Sequence, residues 1–137
     1  MTLSFKNRFE ESISFYEKIL KDFQKSPYFL KAKLNKGLIL YNQGFYKKSR
    51  IVLEKFVKEN KSSSLIQEAL SVLKEIAIDE GSFNEFSKWI KKENLNIYSD
   101  SEIEKNSFKS AEKQFLDRNY KQALKLLKSH LDKYPEG

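Results

Sequence analysis

Apolar residues recur along most of this 137-residue chain at intervals of three and four, with polar residues between them. That spacing places apolar side chains on one face of an α-helix, and only four glycines and two prolines interrupt it. No stretch is dominated by β-branched residues, so the pattern predicts an all-α chain. The predicted helices lie near residues 8–24, 27–42, 45–60, 64–80, 83–92, 102–117 and 119–133.

Local signals set the predicted helix ends. In a capping box, an N-cap oxygen and a Glu or Gln three residues later bind each other's backbone amides. Four such pairs are Ser64 with Gln67, Ser82 with Glu85, Ser101 with Glu104, and Asn119 with Gln122. Ser26 followed by Pro27 predicts another start, because proline fits the first helical position. Stops are predicted at Gln43-Gly44, at Asn60, at Glu80-Gly81 and at the final YPEG.

Aromatic residues recur 37 positions apart, at Phe9, Tyr46, Phe83 and Tyr120. Three further columns keep this spacing: Gly37, Lys74 and Ala111; Ser12, Ser49, Phe86 and Ala123; and Tyr16, Leu53, Ile90 and Leu127. Small residues let paired helices approach closely, and an aromatic residue can fill the elbow between them. The columns therefore predict one array of helix pairs, with units at about 1–26 (partial), 27–63, 64–100 and 101–137.

The columns resemble the tetratricopeptide repeat, in which small residues, Gly, Tyr, a large apolar residue and Pro hold fixed positions. The matching residues are Gly37, Tyr41, Gly44, Tyr46, Ser49 and Leu53 in the second unit, and Ala111, Phe115, Tyr120, Ala123, Leu127 and Pro135 in the fourth. The resemblance implies a right-handed superhelical α-solenoid of antiparallel helix pairs. The segment from Phe86 onward is also similar to the distal repeats of large cell-envelope tetratricopeptide proteins of bacteria.

Repeat arrays need polar caps, and neither end of this sequence supplies one. We therefore expect a fragment of a longer protein, periplasmic or envelope-associated, whose open ends would permit self-association. A complete chain of this length would instead be expected in the cytoplasm.

Composition limits the chemistry. The chain has no cysteine and a single histidine, His130, so we expect no catalytic site, no metal site and no cofactor. His130 is interpreted as a packing residue left exposed at the end of the array. No run of about 18 apolar residues exists, so no transmembrane segment is expected. The 26 basic and 19 acidic residues leave a net charge of +7, which permits an anionic partner.

The resemblance places a partner-binding groove along the first helix of each pair, on the concave face. By register its residues are Lys31, Leu34, Asn35, Leu38 and Asn42 in the second unit, Glu68, Ser71 and Glu75 in the third, and Lys105, Phe108, Lys109 and Glu112 in the fourth. This mixture of charges favours a peptide over a phosphate backbone, which needs an uninterrupted positive track. The predicted function is a non-catalytic protein–protein interaction scaffold whose partner stays open. The alternative is a basic helical-repeat module that docks on nucleic acid or an anionic membrane surface.

Overall fold

The computed structural model describes residues 3–22, 28–95 and 97–135, and every regular element in these ranges is an α-helix. The helices are α1 (Leu3–Asp22), α2 (Phe29–Asn42), α3 (Tyr46–Glu59), α4 (Ile66–Glu80), α5 (Phe83–Lys92), α6 (Asp100–Leu116) and α7 (Tyr120–Lys133). The all-α prediction is confirmed, and the predicted helices correspond to these in order. The start predicted at Ser26-Pro27 lies outside the described residues.

The chain divides into two compact units, with the boundary inside α4 between Leu73 and Lys74. The first unit contains α1, α2, α3 and the first half of α4. The second contains the rest of α4 with α5, α6 and α7.

In the first unit, α2 and α3 pack closely around Gly37. The Ser49 hydroxyl donates a hydrogen bond to the Gly37 carbonyl at 2.8 Å, and neither Ser49 nor Leu53 has exposed surface. A methyl group added at Gly37 would lie 2.7 Å from Leu53 Cγ, so the approach of the helices requires glycine. The apolar core of this unit consists of Ala32, Leu34, Leu40, Leu53, Phe56, Val57, Ile66, Ala69, Leu70 and Leu73.

In the second unit, polar side chains of α6 bind backbone at the end of α4. Ser110 donates to the Ile78 carbonyl at 3.1 Å, and the Gln114 amide donates to the Asp79 carbonyl at 2.7 Å. These bonds satisfy carbonyls that the helix end leaves without an intrahelical partner. They fix where α6 lies against α4.

An aromatic cluster packs beside these contacts in the second unit. The Tyr98 ring lies 6.4 Å from the Phe83 ring and 6.2 Å from the Phe86 ring. Burial, together with the charges of Glu102 and Glu75, raises the pKa of Tyr98 to about 12. The Tyr98 phenol therefore titrates above the pH at which a solvated tyrosine does.

The turns that join α2 to α3, α4 to α5 and α6 to α7 share one geometry. Each has a residue in the left-handed region, with φ of +84° at Gly44, +73° at Gly81 and +65° at Arg118. The N–H of each donates to the carbonyl three residues back, and the next N–H donates to the carbonyl five residues before itself. This pattern caps a helix C-terminus. The 37-residue spacing of the aromatic columns is therefore also the spacing of the turns.

Helix starts differ from the prediction. The Ser99 hydroxyl accepts from the Glu102 N–H at 3.1 Å, and the Glu102 carboxylate accepts from the Ser99 N–H, so the predicted box at Ser101 and Glu104 is wrong. Ser82 and Asn119 are N-cap residues as predicted, but neither side chain caps its helix. α4 begins at Ile66, two residues after the predicted cap at Ser64.

Candidate partner-binding surfaces

The residues predicted to bind a partner from α2 lie in different environments. Lys31 and Asn42 are exposed, and Asn35 and Leu38 are half-buried. The Asn35 amide donates a hydrogen bond at 3.2 Å to a tyrosine hydroxyl of α1. Leu34 is only 1% exposed and belongs to the core of the first unit. We therefore leave Leu34 out of the candidate surface, because a partner cannot reach it.

The residues predicted from α4 fall in both units. Glu68 and Ser71 belong to the first unit and are exposed. Glu75 belongs to the second unit and is half-buried, close enough to Tyr98 for its charge to raise the pKa of that phenol. The Glu75 carboxylate thus already lies near a side chain of its own unit, the Tyr98 phenol.

The residues predicted from α6 are all exposed. Phe108 is 46% exposed, and Phe115, seven residues later on the same helix face, is 54% exposed. Ile103, Ser107, Ser110, Ala111 and Gln114 are buried on the opposite side of α6. We call the exposed set the α6 stripe; its members are Lys105, Phe108, Lys109, Glu112 and Phe115.

Aromatic contacts from α7 hold the two phenylalanine rings of the α6 stripe. The Phe108 ring lies 5.7 Å from the His130 ring, which lies 5.1 Å from the Tyr134 ring. The Phe115 ring meets the Tyr120 ring edge-on at 5.4 Å. Such contacts restrict ring rotation, so little further ordering is needed when a partner binds.

His130 is 5% exposed, so the expectation that it would be solvent-exposed is wrong. The rings of Phe108 and Tyr134 enclose it, because α7 turns that position toward α6. Its Nδ1 atom is buried without a hydrogen-bond partner among the described residues. In these surroundings the His130 imidazole packs against the Phe108 ring and supports its position.

A cleft of about 780 Å³ opens among α1, α2 and α3, entirely within the first unit. Its apolar lining comprises Phe9, Ile13, Leu40, Phe45, Ile51 and Val52. Its charged lining comprises Glu10 and Glu17 of α1, Lys36 of α2 and Lys48 of α3. The sequence interpretation missed this cleft, because it treated Phe9 as an elbow residue. The spacing of Glu10 and Glu17, seven residues apart beside Phe9 and Ile13, was the available signal.

Three of the cleft's four charges already have contacts within the chain. Lys36 Nζ lies 3.3 Å from the Glu17 carboxylate, and Lys48 Nζ lies over the Phe45 ring at 5.4 Å. Ile51 is 65% exposed and Phe45 is 48% exposed, so apolar surface between these charges faces solvent. The cleft therefore suits a ligand that carries an apolar side chain with charged groups beside it.

The part of the chain that the structure describes contains no group of three or more acidic or histidine side chains that could hold a metal ion. Among its helices, none combines the length and the apolar character needed to cross a bilayer. No family model, no curated protein and no solved structure matches the chain. What it binds therefore has to be inferred from its own surfaces.

Proposed function

We propose that this chain is a non-catalytic protein-interaction scaffold that binds a peptide or protein segment through the α6 stripe. The observation that carries this proposal is the pair of phenylalanines, 46% and 54% exposed, on one face of a helix whose other face is buried. Exposed aromatic side chains rimmed by charges are typical of surfaces that a partner covers.

The α6 stripe favours a particular kind of partner. Residues seven apart on a helix lie about 10.5 Å apart along its axis, so a helical segment with two apolar anchors at that spacing would match Phe108 and Phe115. Lys105 and Lys109 favour an acidic residue near the first anchor, and Glu112 favours a basic residue between the anchors. We therefore infer an amphipathic segment of mixed charge as the ligand.

A tetratricopeptide-like α-solenoid is the fold context that we propose for this surface. The shared turn at Gly44, Gly81 and Arg118 supports it, because a repeated elbow produces repeated helix pairs. In such an array α6 is the first helix of its pair, and first helices line the concave face. Membership in a bacterial cell-envelope scaffold is part of the same proposal and follows from the resemblance alone.

Site-specific photo-crosslinking in source cells tests this function. A photoreactive residue at Lys109, between the two phenylalanines, should capture one protein, whereas the same residue at exposed Lys92 on α5 should not. The variant that combines Phe108→Ala and Phe115→Ala should weaken binding to the captured protein at least about tenfold, a loss of about 1.4 kcal/mol. Phe15→Ala is the matched control, because Phe15 is 60% exposed and lies on α1, away from the stripe in the sequence and on a different helix.

Two results would reject the proposal. One is equal capture from positions 109 and 92, and the other is undiminished binding by the double phenylalanine variant. A nucleic-acid adduct whose yield falls steeply with salt would favour the basic-module alternative, because phosphate contacts are lost as salt rises.

A further inference from the structure

α7 presents an apolar row that the rest of its unit does not cover. Leu124 is 67% exposed and Leu131 is 56% exposed, and they lie seven residues apart on one face of the helix. Beside this row run Lys121 and Lys128, also seven residues apart and both exposed. α7 therefore carries parallel apolar and basic rows, each with a repeat distance of about 10.5 Å.

For each of these two leucines, one residue at the same register position elsewhere in the chain is buried. Leu131 lies 74 residues after Val57, twice the repeat length, and Val57 has no exposed surface. Leu124 lies 37 residues after Ser87, which is 6% exposed. Val57 on α3 and Ser87 on α5 are thus buried where α7 is open, although Asn94, midway in register between Val57 and Leu131, is exposed.

The cleft of the first unit carries the complementary pattern. On α1, Phe9 and Ile13 line the cleft, and Glu10 and Glu17 lie beside them, seven residues apart and exposed. The acidic row therefore has the same repeat distance as the basic row of α7, and beside it lies an apolar pair four residues, or about 6 Å, apart. Opposite α1, the exposed side chain of Ile51 provides a second apolar wall.

We propose that α7 of one copy of this chain docks in the α1–α2–α3 cleft of a second copy. Leu124 and Leu131 enter between α1 and Ile51, and Lys121 and Lys128 face Glu10 and Glu17, where an incoming lysine shares the Glu17 carboxylate with Lys36. Apolar burial supplies the affinity, and the matched charge rows set the register. This contact uses neither Phe108 nor Phe115, so it is independent of the function proposed for the α6 stripe.

Sedimentation equilibrium of the full chain, from micromolar to millimolar concentration, tests the proposal. The average mass should rise above 16.2 kDa with concentration, and added salt should lower it only in part, because salt screens the exposed charges but not the apolar contacts. Combining Leu124→Ser with Leu131→Ser should raise the dissociation constant at least about tenfold. Ile51→Ser should act in the same direction, whereas Leu116→Ser, on an exposed residue of α6, should leave the constant unchanged.

Charge reversal identifies the two surfaces. The variant with Glu10→Lys and Glu17→Lys and the variant with Lys121→Glu and Lys128→Glu should each stay monomeric, since each sets like charges against each other. An equimolar mixture should associate again, because the unchanged α7 of the first variant fits the unchanged cleft of the second, and the two reversed surfaces fit each other. Circular dichroism melting of each variant checks that a lost association is not lost folding.

Three results would overturn the proposal. They are a mass of 16.2 kDa at every concentration, wild-type association by either charge-reversed variant alone, and failure of the mixture to associate. The double phenylalanine variant of the α6 stripe should associate like the wild type. A failure of the cleft contact is therefore distinguishable from a failure of the proposed function.

Discussion

Replacement of Gly37 by alanine should destabilise the first unit even though alanine is the better helix former. The added methyl carbon would lie 2.7 Å from Leu53 Cγ and 3.4 Å from Val52 Cγ1. Leu53 has no exposed surface, so its side chain cannot move into solvent to relieve the overlap. The helices must separate or Leu53 must leave its rotamer.

The expected size of the effect follows from three contributions. Overpacking a close-packed core costs about 1–3 kcal/mol. Weakening the hydrogen bond from Ser49 to the Gly37 carbonyl, 2.8 Å long here, costs about 1 kcal/mol more. Alanine in a helix interior returns about 1 kcal/mol relative to glycine. Gly37→Ala should therefore lower the free energy of unfolding by about 2 kcal/mol, or several degrees in Tm.

A double-mutant cycle separates steric overlap from any other cause. Leu53→Ala alone should cost about 2–5 kcal/mol, because it leaves a cavity in the core. In that background the overlap at Gly37 is gone, so Gly37→Ala should become neutral or stabilising by up to about 1 kcal/mol. Urea unfolding of the four proteins measures the cycle. If Gly37→Ala costs the same with and without Leu53, the assignment of the close contact is refuted.

Three further predictions concern the turns and the second unit. Arg118→Gly should stabilise the chain by about 1 kcal/mol, because glycine adopts φ of +65° without strain. Gly44→Ala should destabilise it by a similar amount, because alanine is strained at φ of +84°. Thermal melting measures both changes. Ser99→Ala should cost about 1 kcal/mol in urea unfolding by removing the N-cap of α6. Because folding raises the pKa of Tyr98 to about 12, stability should fall as the pH rises from about 10 to 12, and Tyr98→Phe should remove part of that loss. Unfolding measured at pH 8 and at pH 11 compares the two proteins, and equal losses in both would contradict the assignment.

The helices were predictable because their signals are local. Apolar spacing and two glycines with positive φ fix most of the boundaries, and both glycines lie where turns were expected. The start of α6 was placed two residues late, because Ser99 with Glu102 and Ser101 with Glu104 fit the same pattern. Only the pairing of Ser99 with Glu102 also places apolar residues at the two positions of a hydrophobic staple. These are Tyr98, just before the N-cap, and Ile103, four residues after it.

The candidate surfaces were predictable only in part, because the repeat register gives the face of a helix but not what covers it. Lys105, Phe108, Lys109 and Glu112 are exposed, as a partner surface requires. Leu34 received the same assignment by register, yet it is 1% exposed. Its burial depends on how side chains from several helices pack together, which the spacing along one helix does not contain.

Exposure separates residues that hold the fold from residues available to a partner. Val57 and Leu131 lie 74 residues apart, twice the spacing of the aromatic residues, yet the first has no exposed surface and the second is 56% exposed. An apolar residue at such a position favours burial by about 1.5–3 kcal/mol wherever a neighbour exists to cover it. On α7 that free energy is not used within the chain, so it can drive association. Substitutions at Leu131 should therefore change assembly while leaving the melting temperature of the monomer nearly unchanged, and substitutions at Val57 should do the reverse.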